Sequence, residues 1–482
     1  MTPKSVVALA LAPVLACALV AAATGAAATQ ERPPSQRSSH ELRARELYAR
    51  VIAMPTSKGN DQVPAMAEFL AGEFRAAGFP AADVSVVPFE GEGDKTASLV
   101  VRYRARGGKG DKPILLMAHM DVVVARREDW ERDPFTLVEE NGYFFGRGTS
   151  DDKQGVVALA STFLRLKGEG FVPRRDLILF FSGDEETTQA TTVNMVRQHR
   201  ELIDAEFALN ADAGGGTLDS NGKPLYFALQ TAEKTYADFA VTVKNPGGHS
   251  SLPRDDNAIY DLAAALLRIR ALKFPVMWND TTLAAFRQAG AMTAGELGAA
   301  IGRFGANPRD TAAIAVISKE PAYAGQIRTT CVATMLTGGH AQNALPQSAS
   351  ANVNCRIFPG VKIEDVRLAL QQAAGSGAEV KLTGEPMSSD ASPLRPDVTK
   401  AVTRAVQAIR PGVPVVPAQS NGASDGLVFR AAGIPTYGVD GNFIKPEDDF
   451  AHGLNERLPV QSFYDSLEFW HVLVTELAGR RR

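Results

Sequence analysis

Neither sign of charge is in excess in this sequence. The 51 lysines and arginines nearly balance the 54 aspartates and glutamates, which leaves a formal net charge of −3 over 482 residues. A chain so close to neutrality has no electrostatic reason to bind nucleic acid or an acidic membrane surface. We therefore expect neither as a partner.

Long apolar runs are also absent after the first thirty residues, so no later segment is predicted to span a membrane. At the N-terminus, Lys4 precedes an apolar run from Val6 to about Ala23, and small residues follow. This order predicts a secretory signal peptide over residues 1–28, with a retained anchor as the alternative. Residues 29–39 are polar and contain proline, which predicts a disordered lead-in. The mature protein is expected to be periplasmic or secreted and free of the membrane.

Cysteine is scarce, with 3 residues in the chain. Removal of the signal peptide takes Cys17 away and leaves Cys331 and Cys355. Two cysteines in an exported protein can form one disulfide, and two buried free thiols are the alternative. The sequence leaves both alternatives open.

What the sequence does contain is the composition of a soluble globular protein, with 45% hydrophobic and 22% charged residues. The length exceeds that of one ordinary core, so we expect two domains. Between residues 40 and 232, apolar runs such as Ile114–Met117 and Leu177–Phe181 alternate with helical periodicity. This pattern predicts an α/β fold, with a mostly parallel central sheet covered by helices on both faces.

A different pattern begins near Glu233. Over residues 233–385 the predicted order is strand, helix, strand, strand, helix and strand, which is that of a ferredoxin-like α+β domain. The stretch 274–328 is a mostly helical insert of unassigned role. From 386 to 482 the α/β pattern returns, so the smaller domain is predicted to be inserted into the larger one.

Each of three predicted strands is followed by an imidazole or by carboxylates, and a glycine-rich turn carries another carboxylate. Because ligands bind at the carboxyl ends of strands in open α/β sheets, these groups are expected to share one edge. Any single one would more often be a surface acid or a core histidine. Four such stretches together favour a site for zinc or a similar ion, which would offset the repulsion between neighbouring acids. The residues are His119 and Asp121, then Asp184, Glu185 and Glu186, then Asp212, with Asp151 in the turn.

These motifs resemble those of the M20 family of metallopeptidases. The segments HMD, GRGTSDDKQG, SGDEET, GGHSS, NALP and AHGLNE occur in the order and approximate spacing of that family, over nearly all of the chain after the signal peptide. The family includes glutamate carboxypeptidases, aminoacylases, succinyl-diaminopimelate desuccinylases and dipeptidases. The resemblance implies a zinc-peptidase-like catalytic domain interrupted by a ferredoxin-like lid domain, through which many relatives dimerise.

The resemblance further implies a centre of two zinc ions per subunit, with cobalt or manganese as alternatives. One ion would be bound by His119, Asp151 and Asp212, and the other by Asp151, Glu186 and His452. Each ion would then keep an open coordination position, as in catalytic sites. A cis peptide bond is often found after the bridging aspartate in this family.

Three more residues match catalytic positions of the family. Glu185 matches the general base and acid, a role that needs a pKa nearer neutrality than that of a free glutamate. Asp121 matches the acid that orients the imidazole of His119. His249 matches a lid histidine that stabilises the oxyanion, and in dimeric relatives the partner subunit supplies it.

Substrate binding is implied for Asn343 and Arg356, which match residues that hold the substrate's carboxylate, and for the backbone of Gly426. We expect a hydrolase that cleaves a peptide or amide bond next to a free carboxylate. Export favours small peptides as substrates, and so a carboxypeptidase or dipeptidase. The alternatives are an N-acyl-amino-acid deacylase and a metal-dependent binding protein without catalysis. Relatives occur as homodimers and as monomers, so the oligomeric state stays open.

Overall fold

Helices and strands alternate along most of the chain in the computed structural model, which describes residues 37–91, 94–106 and 111–479. The predicted signal peptide and nearly all of the predicted lead-in lie outside these residues. From Ser38 onward the chain forms one compact unit. None of the helices in the described ranges combines the length and the apolar character that crossing a bilayer requires.

The helices bury their apolar stripes against two separate sheets. In the second helix, for example, Met66, Leu70 and Phe74 recur at helical spacing on the buried face, and Pro64 lies in the first turn, where its missing N–H costs nothing. The helices are α1 (Ser39–Ile52), α2 (Val63–Ala76), α3 (Lys153–Gly168), α4 (Ala190–Gln198), α5 (Arg200–Ile203), α6 (Ala258–Ala271), α7 (Asp280–Met292), α8 (Gly295–Ala306), α9 (Thr311–Ile317), α10 (Pro321–Gln326), α11 (Ile363–Ala374), α12 (Pro396–Ile409), α13 (Gly426–Ala431) and α14 (Val460–Ala478).

The strands include the apolar runs predicted from the sequence and several less apolar ones. They are β1 (Val84–Gly91), β2 (Asp94–Tyr103), β3 (Ile114–His119), β4 (Val138–Glu140), β5 (Tyr143–Phe145), β6 (Leu177–Ser182), β7 (Phe207–Asn210), β8 (Gly215–Leu218), β9 (Pro224–Glu233), β10 (Thr235–Lys244), β11 (Gly248–His249), β12 (Thr330–Gly338), β13 (Ala344–Leu345), β14 (Ser348–Ile357), β15 (Glu379–Thr383), β16 (Val415–Ser420), β17 (Thr436–Gly438), β18 (Phe443–Ile444) and β19 (Arg457–Pro459).

The large sheet has ten strands in the order β1-β2-β6-β3-β7-β17-β9-β8-β18, with β16 paired to β9. Its centre, β6-β3-β7-β17, is parallel as predicted, so the carboxyl ends of these strands share one edge. The flanks contain antiparallel pairs, because β2 joins β6 and β9 joins β17 and β8 in that sense, whereas β16 and β18 pair in parallel with β9 and β8. One face packs on α1, α2, α3, α12 and α14, and the other on α4 and α13. The sheet is therefore mixed, with its parallel part in the middle.

The small sheet has the ferredoxin-like connectivity expected from the sequence. Its order is β12-β14-β10-β15, every pair is antiparallel, and α6 and α11 cover one face. A single residue, Lys234, separates β9 of the large sheet from β10 of the small one. Cys331 of β12 and Cys355 of β14 lie opposite each other and form a disulfide, which settles the alternative left open by the sequence.

The insert between α6 and β12 folds into the helices α7 to α10. These helices have a core of their own, which contains Phe286, Ile301, Phe304 and Ile317. Helix α7 packs against β16, an edge strand of the large sheet. The insert therefore lies against the large sheet, although its sequence interrupts the small domain.

Candidate metal centre

The carboxyl ends of neighbouring parallel strands bring the predicted metal-type residues together. Strand β3 ends at His119, which pairs in register with Ser182 at the end of β6. Strand β7 ends at Asn210 on the other side of β3. The loops after β6 and β7 therefore leave the sheet beside His119, and they carry Glu185, Glu186 and Asp212.

Asp151 lies between two histidines. Its Oδ1 is 2.9 Å from Nε2 of His119, and its Oδ2 is 3.1 Å from Nε2 of His452. Nε2 of His119 is also 3.6 Å from Oδ1 of Asp212, and Nε2 of His452 is 2.9 Å from Oε2 of Glu186. The peptide bond after Asp151 is cis. The structure thus brings the five residues into two groups that share one carboxylate.

The carboxylates of this cluster outweigh its positive charge. Burial alone would lower the pKa of His119, but the carboxylates of Asp121, Asp151 and Asp212 raise it well above its usual value. Hydrogen bonds to Asp151 and Glu186 raise the pKa of the half-exposed His452 to about 10. Acids that force histidines toward the charged form indicate a site built to hold cations.

The donor set fits divalent metal ions of the zinc type, which take imidazole nitrogen and carboxylate oxygen. Ligand atoms of His119, Asp151 and Glu186 all lie within 4.8 Å of one another, and so do those of His119, Glu185 and Asp212. Oε1 of Glu186 is buried and has no hydrogen-bond partner among the described residues. A buried carboxylate oxygen without a donor is available as a metal ligand.

Glu185 is a partly buried acid beside the first group. Its carboxylate lies within 4.8 Å of ligand atoms of His119 and Asp212. Burial, and then the charge of Asp212, raise the pKa of Glu185 well above its usual value. Gln189 donates a hydrogen bond to its Oε1 at 3.3 Å. A buried carboxyl group with a raised pKa holds a proton more readily than a free glutamate does.

Asp121 positions two parts of the site, one through its main chain and the other through its side chain, whereas the resemblance implied only that it orients His119. Its backbone carbonyl lies 3.0 Å from Nδ1 of His119, whereas its own Oδ1 is 3.5 Å from that nitrogen. Its carboxylate accepts the backbone N–H groups of Glu185 and Glu186, each at 3.0 Å. The main chain of Asp121 therefore orients the imidazole, and its side chain holds the loop that carries Glu185 and Glu186.

The third acid of the SGDEET segment serves its own loop. Asp184 accepts the backbone N–H groups of Ala190 at 2.7 Å and Thr191 at 3.0 Å, and also the hydroxyl of Thr188. These bonds close the turn that leads into α4. The three adjacent acids thus differ in their surroundings: Asp184 shapes the loop, Glu185 is a carboxyl of raised pKa beside the first group, and Glu186 joins the metal-type cluster.

Glu456 was missed by sequence reasoning, although it builds the loop around Asp151. Its carboxylate accepts the backbone N–H groups of Gly148 at 3.0 Å, Ser150 at 2.7 Å and Asp151 at 3.0 Å. It is the last residue of AHGLNE, four residues after His452. The available signal was an acid at a fixed distance from a predicted ligand.

The predicted lid residues form a second, separate group. The two-residue strands β11 and β13 pair, so His249 and the NALP loop are neighbours. The His249 ring is exposed, and in the described part of the chain it bonds only Ser251, with Nδ1 2.8 Å from Oγ. Asn343 is also exposed, and its carbonyl accepts the N–H of Ser250. The structure does not bring His249 or Asn343 into contact with the metal-type cluster.

Arg356 and Gly426 lie nearer the boundary between the two sheets. The guanidinium of Arg356 stacks on Tyr236, 4.8 Å from the ring centre, and donates to the carbonyl of Asn421 at 2.9 Å. Gly426 is buried at the start of α13, and its N–H donates to Oγ of Ser424 at 3.1 Å. Its N–H is therefore already paired within the chain.

Comparison with known proteins places this geometry in a family. Residues 115–476 match the model of peptidase family M20/M25/M40. The chain belongs to that family. It is an amide-bond hydrolase of the M20 type, consistent with the two histidine–carboxylate groups at the strand ends.

Two relatives and one solved structure illustrate the range within the family. The chain is 30% identical over 378 residues to N-fatty-acyl-amino acid synthase/hydrolase PM20D1 of Homo sapiens. The aligned region covers 75% of this chain and 74% of the relative. It is 28% identical over 279 residues to carboxypeptidase S of Saccharomyces cerevisiae, which covers 55% and 48%. The M20 family metallo-carboxypeptidase Sso-CP2 of Sulfolobus solfataricus shares the fold, with a TM-score of 0.65, 17% identity and coverage of 92% and 99%.

Proposed function

We propose that this protein hydrolyses the amide bond between an acyl group and an amino acid that has a free carboxylate. Two zinc ions would be held in the two groups that share Asp151, and cobalt or manganese could replace them. The observation that carries the proposal is the position of Glu185, a carboxyl of raised pKa beside those groups.

The residues of the chain have distinct tasks in this reaction. When bound, the ions polarise the substrate carbonyl and lower the pKa of water. Glu185 accepts the proton of the attacking water and returns it to the leaving nitrogen. Asp121 holds Glu185 and His119 in position through the hydrogen bonds described above. Arg356 binds the substrate carboxylate, for which the planar guanidinium is well matched.

The two candidate substrate classes differ in the acyl group on the scissile amide. An N-acyl amino acid and the C-terminal end of a peptide present the same amide and the same carboxylate to Glu185 and Arg356. The similarity to a protein named N-fatty-acyl-amino acid synthase/hydrolase over three quarters of both chains favours N-acyl amino acids. The likeness to carboxypeptidase S supports small peptides as the second class. The sequence alone had favoured the peptides because of the predicted export.

A homodimer through the small sheet is part of the proposal. Strand β12 is the edge of that sheet, and Val332, Met335 and Leu336 are exposed on it. An exposed apolar edge strand is suited to pairing with another chain. A second copy placed there could bring its His249 to the metal centre, which would account for the exposed position of this ring within one protomer.

Export to the periplasm or the medium is proposed from the N-terminal pattern. The disulfide between Cys331 and Cys355 supports it, because such bonds persist mainly in oxidising compartments. Cell fractionation of the full-length chain, with the N-terminal residue of the mature protein read by mass spectrometry, tests it. A cytoplasmic protein with an intact N-terminus would contradict it.

The test of the proposed reaction is a panel of N-acyl amino acids and dipeptides, offered to the zinc-loaded mature protein. We expect release of the free amino acid by the wild type and little release by Glu185→Gln. For the dimer, His249→Ala and Glu185→Gln chains are mixed after separate purification. Recovery of activity in the mixture supports a ring supplied by the partner subunit, and no recovery contradicts it.

A further inference from the structure

A cavity of about 390 Å³ lies between the helical insert and the large sheet, apart from the residues assigned above. Helices α7 and α10 form one side of it, and strands β9 and β16 form the other. Two residues of β9, Tyr226 and Ala228, line the cavity. The alternate residues of the strand, Phe227 and Leu229, point to the opposite face and into the main core. The described residues that line the cavity include no charged side chain, and most are apolar.

The cavity has a polar end and an apolar end. Helix α7 begins where β16 finishes, because Asn279 before α7 donates to Oε1 of Gln419 at 3.3 Å. The helix then runs back along the strand, and it finishes at Met292, which lines the cavity together with Val416 near the start of β16. Gln419 and Gln326 therefore lie at one end, and Met292 and Val416 lie toward the other, where the amide of Gln288 also contacts the thioether of Met292 at 3.8 Å.

An unused hydrogen-bond donor marks the polar end. Gln419 is only 7% exposed, and its Nε2 has no partner among the described residues, although its Oε1 is bonded. Buried donors are nearly always paired in folded proteins. Because Gln419 lines the cavity, an oxygen acceptor on a ligand held there is a candidate partner for this unused donor.

The polar end also lies close to the cation that we assign to the substrate. Gln326 lines the cavity and donates to Oδ1 of Asn421 at 3.3 Å. The backbone carbonyl of the same Asn421 accepts from Arg356 at 2.9 Å. A ligand whose polar head lies at Gln419 would therefore have its head near Arg356 and its tail directed toward Met292.

We infer that this cavity binds the aliphatic chain of an acyl-bearing ligand, with a head-group oxygen accepting from Nε2 of Gln419. Its size and its mainly apolar wall with a few placed polar groups are those of small-molecule sites, which measure roughly 300–1,000 Å³. That the chain belongs to the substrate, or to the fatty acid released from it, rests on the proposed function. The cavity and its unpaired donor do not depend on that function.

The first test is the ratio of kcat/KM for N-dodecanoyl-leucine to that for N-acetyl-leucine, measured with zinc-loaded protein. We expect a ratio of about tenfold or more in the wild type, since each buried methylene adds to binding. Ala285→Phe, on the cavity side of α7, should bring the ratio close to one. Ala291→Phe, on the exposed side of the same helix, is the matched control and should keep it.

A second variant, Met292→Lys, provides the same test if Ala285→Phe does not fold. Met292 is 44% exposed, so Met292→Lys can fold while it places a charge at the apolar end. It should also lower the ratio. Direct binding of dodecanoic acid to zinc-loaded Glu185→Gln protein is followed by calorimetry, and adding Ala285→Phe or Met292→Lys should weaken that binding at least about tenfold.

The outcomes separate this inference from the proposed function. A wild-type ratio near one, or a ratio that neither Ala285→Phe nor Met292→Lys changes, overturns the cavity assignment while amide hydrolysis stands. If no amide is hydrolysed at all, the proposed function fails and calorimetry decides the cavity alone. Binding of dodecanoic acid that these variants weaken then supports the inference, and absent or unaffected binding overturns it.

Discussion

The edge of the large sheet and the outer loops of the small sheet carry two halves of one predicted site, and they differ in how complete they are. At the large sheet, His119, Asp151 and Glu186 already lie within 4.8 Å of one another. At the small sheet, His249 and Asn343 are exposed, and the hydrogen bonds found for them in the described residues stay within their two neighbouring loops. The first half is assembled by one chain, whereas the predicted second half lies apart from it within one protomer.

The difference teaches that loops anchored at adjoining ends of buried strands fix a site more firmly than loops joined by a short ladder do. The parallel strands β3, β6 and β7 are held in register over several buried residues, so their ends cannot separate without loss of the core. The two-residue ladder of β11 and β13 fixes His249 to the NALP loop but not to the large sheet. Motifs of equal clarity in the sequence can therefore differ in whether one protomer assembles them.

The largest effect is expected at the shared carboxylate of the first half. Asp151→Asn should weaken both metal positions at once and lower kcat/KM by at least about 10³-fold, because metal-based charge stabilisation is worth several kcal/mol. Metal content by plasma mass spectrometry, together with the initial rate, measures this. The exposed Asp255→Asn is the control. Full metal content and activity in Asp151→Asn would disprove the shared-ligand geometry.

Within the same half, the variant Glu185→Gln distinguishes a loss of catalysis from a loss of metal binding. Glu185→Gln should lower kcat by about 10²–10⁴-fold, the usual size of a general acid–base contribution, while metal content stays unchanged. Single-turnover rates and metal analysis of the same sample test this. Loss of one ion along with activity would instead make Glu185 a ligand, as its distance to His119 and Asp212 would permit.

His249 tests the second half. His249→Ala should lower kcat by about 10²-fold, the scale of one lost oxyanion donor, with no change in metal content.

Leu336→Asp on the edge strand should yield monomers and lower kcat to a similar extent, because the ring of His249 then has no partner site. Sedimentation and rates are measured on the same preparations. A monomer with full activity would show that one chain closes on its own.

Asp121 should show a smaller effect that appears in metal affinity. Asp121→Asn weakens the acceptor for the N–H groups of Glu185 and Glu186, so we expect metal affinity to fall by about 10–100-fold, as for other residues that position ligands. Competition with a chelator gives the affinity. Activity should return at high zinc concentration. An unchanged affinity would mean that the backbone carbonyl of Asp121 alone positions the site.

The smallest effect concerns the disulfide of the small sheet. Replacing Cys331 and Cys355 by alanine should destabilise that sheet by about 3 kcal/mol, as expected for a cross-link that closes a loop of this length. Metal binding should be unaffected, since the cluster lies on the other sheet. Urea unfolding and metal content are the measurements. A parallel loss of metal binding would show that the two halves are more closely coupled than their contacts indicate.

The sequence predicted the parts of the fold whose residues are apolar throughout. The runs that became β3 and β6 are buried at every position, so their place in a parallel centre could be predicted. Strand β1 is only partly buried, and β9 pairs in both senses, so neither has a clear period. The mixed pairing of the flanks, and the packing of the insert on β16, depend on contacts between distant segments that no local pattern records.

The candidate site shows the same division. His119, Asp151, Glu186, Asp212 and His452 could be proposed because the short motifs that contain them resemble those of the M20 family. Glu456 acts through backbone N–H groups more than three hundred residues away, and Gln419 through an unpaired amide on a cavity wall. Glu456 lies in a recognisable motif, but the role of neither side chain could be predicted, because each role depends on what the fold places opposite the side chain.

The most direct test of the account is zinc titration of the metal-free mature protein, with hydrolysis of an N-acyl-leucine and a leucine dipeptide followed in wild type and Glu185→Gln. The account predicts amide hydrolysis that rises until two ions are bound per chain, and a variant that binds the same two ions and hydrolyses neither substrate. Two bound ions without hydrolysis of either substrate, or equal rates in wild type and variant, would contradict it.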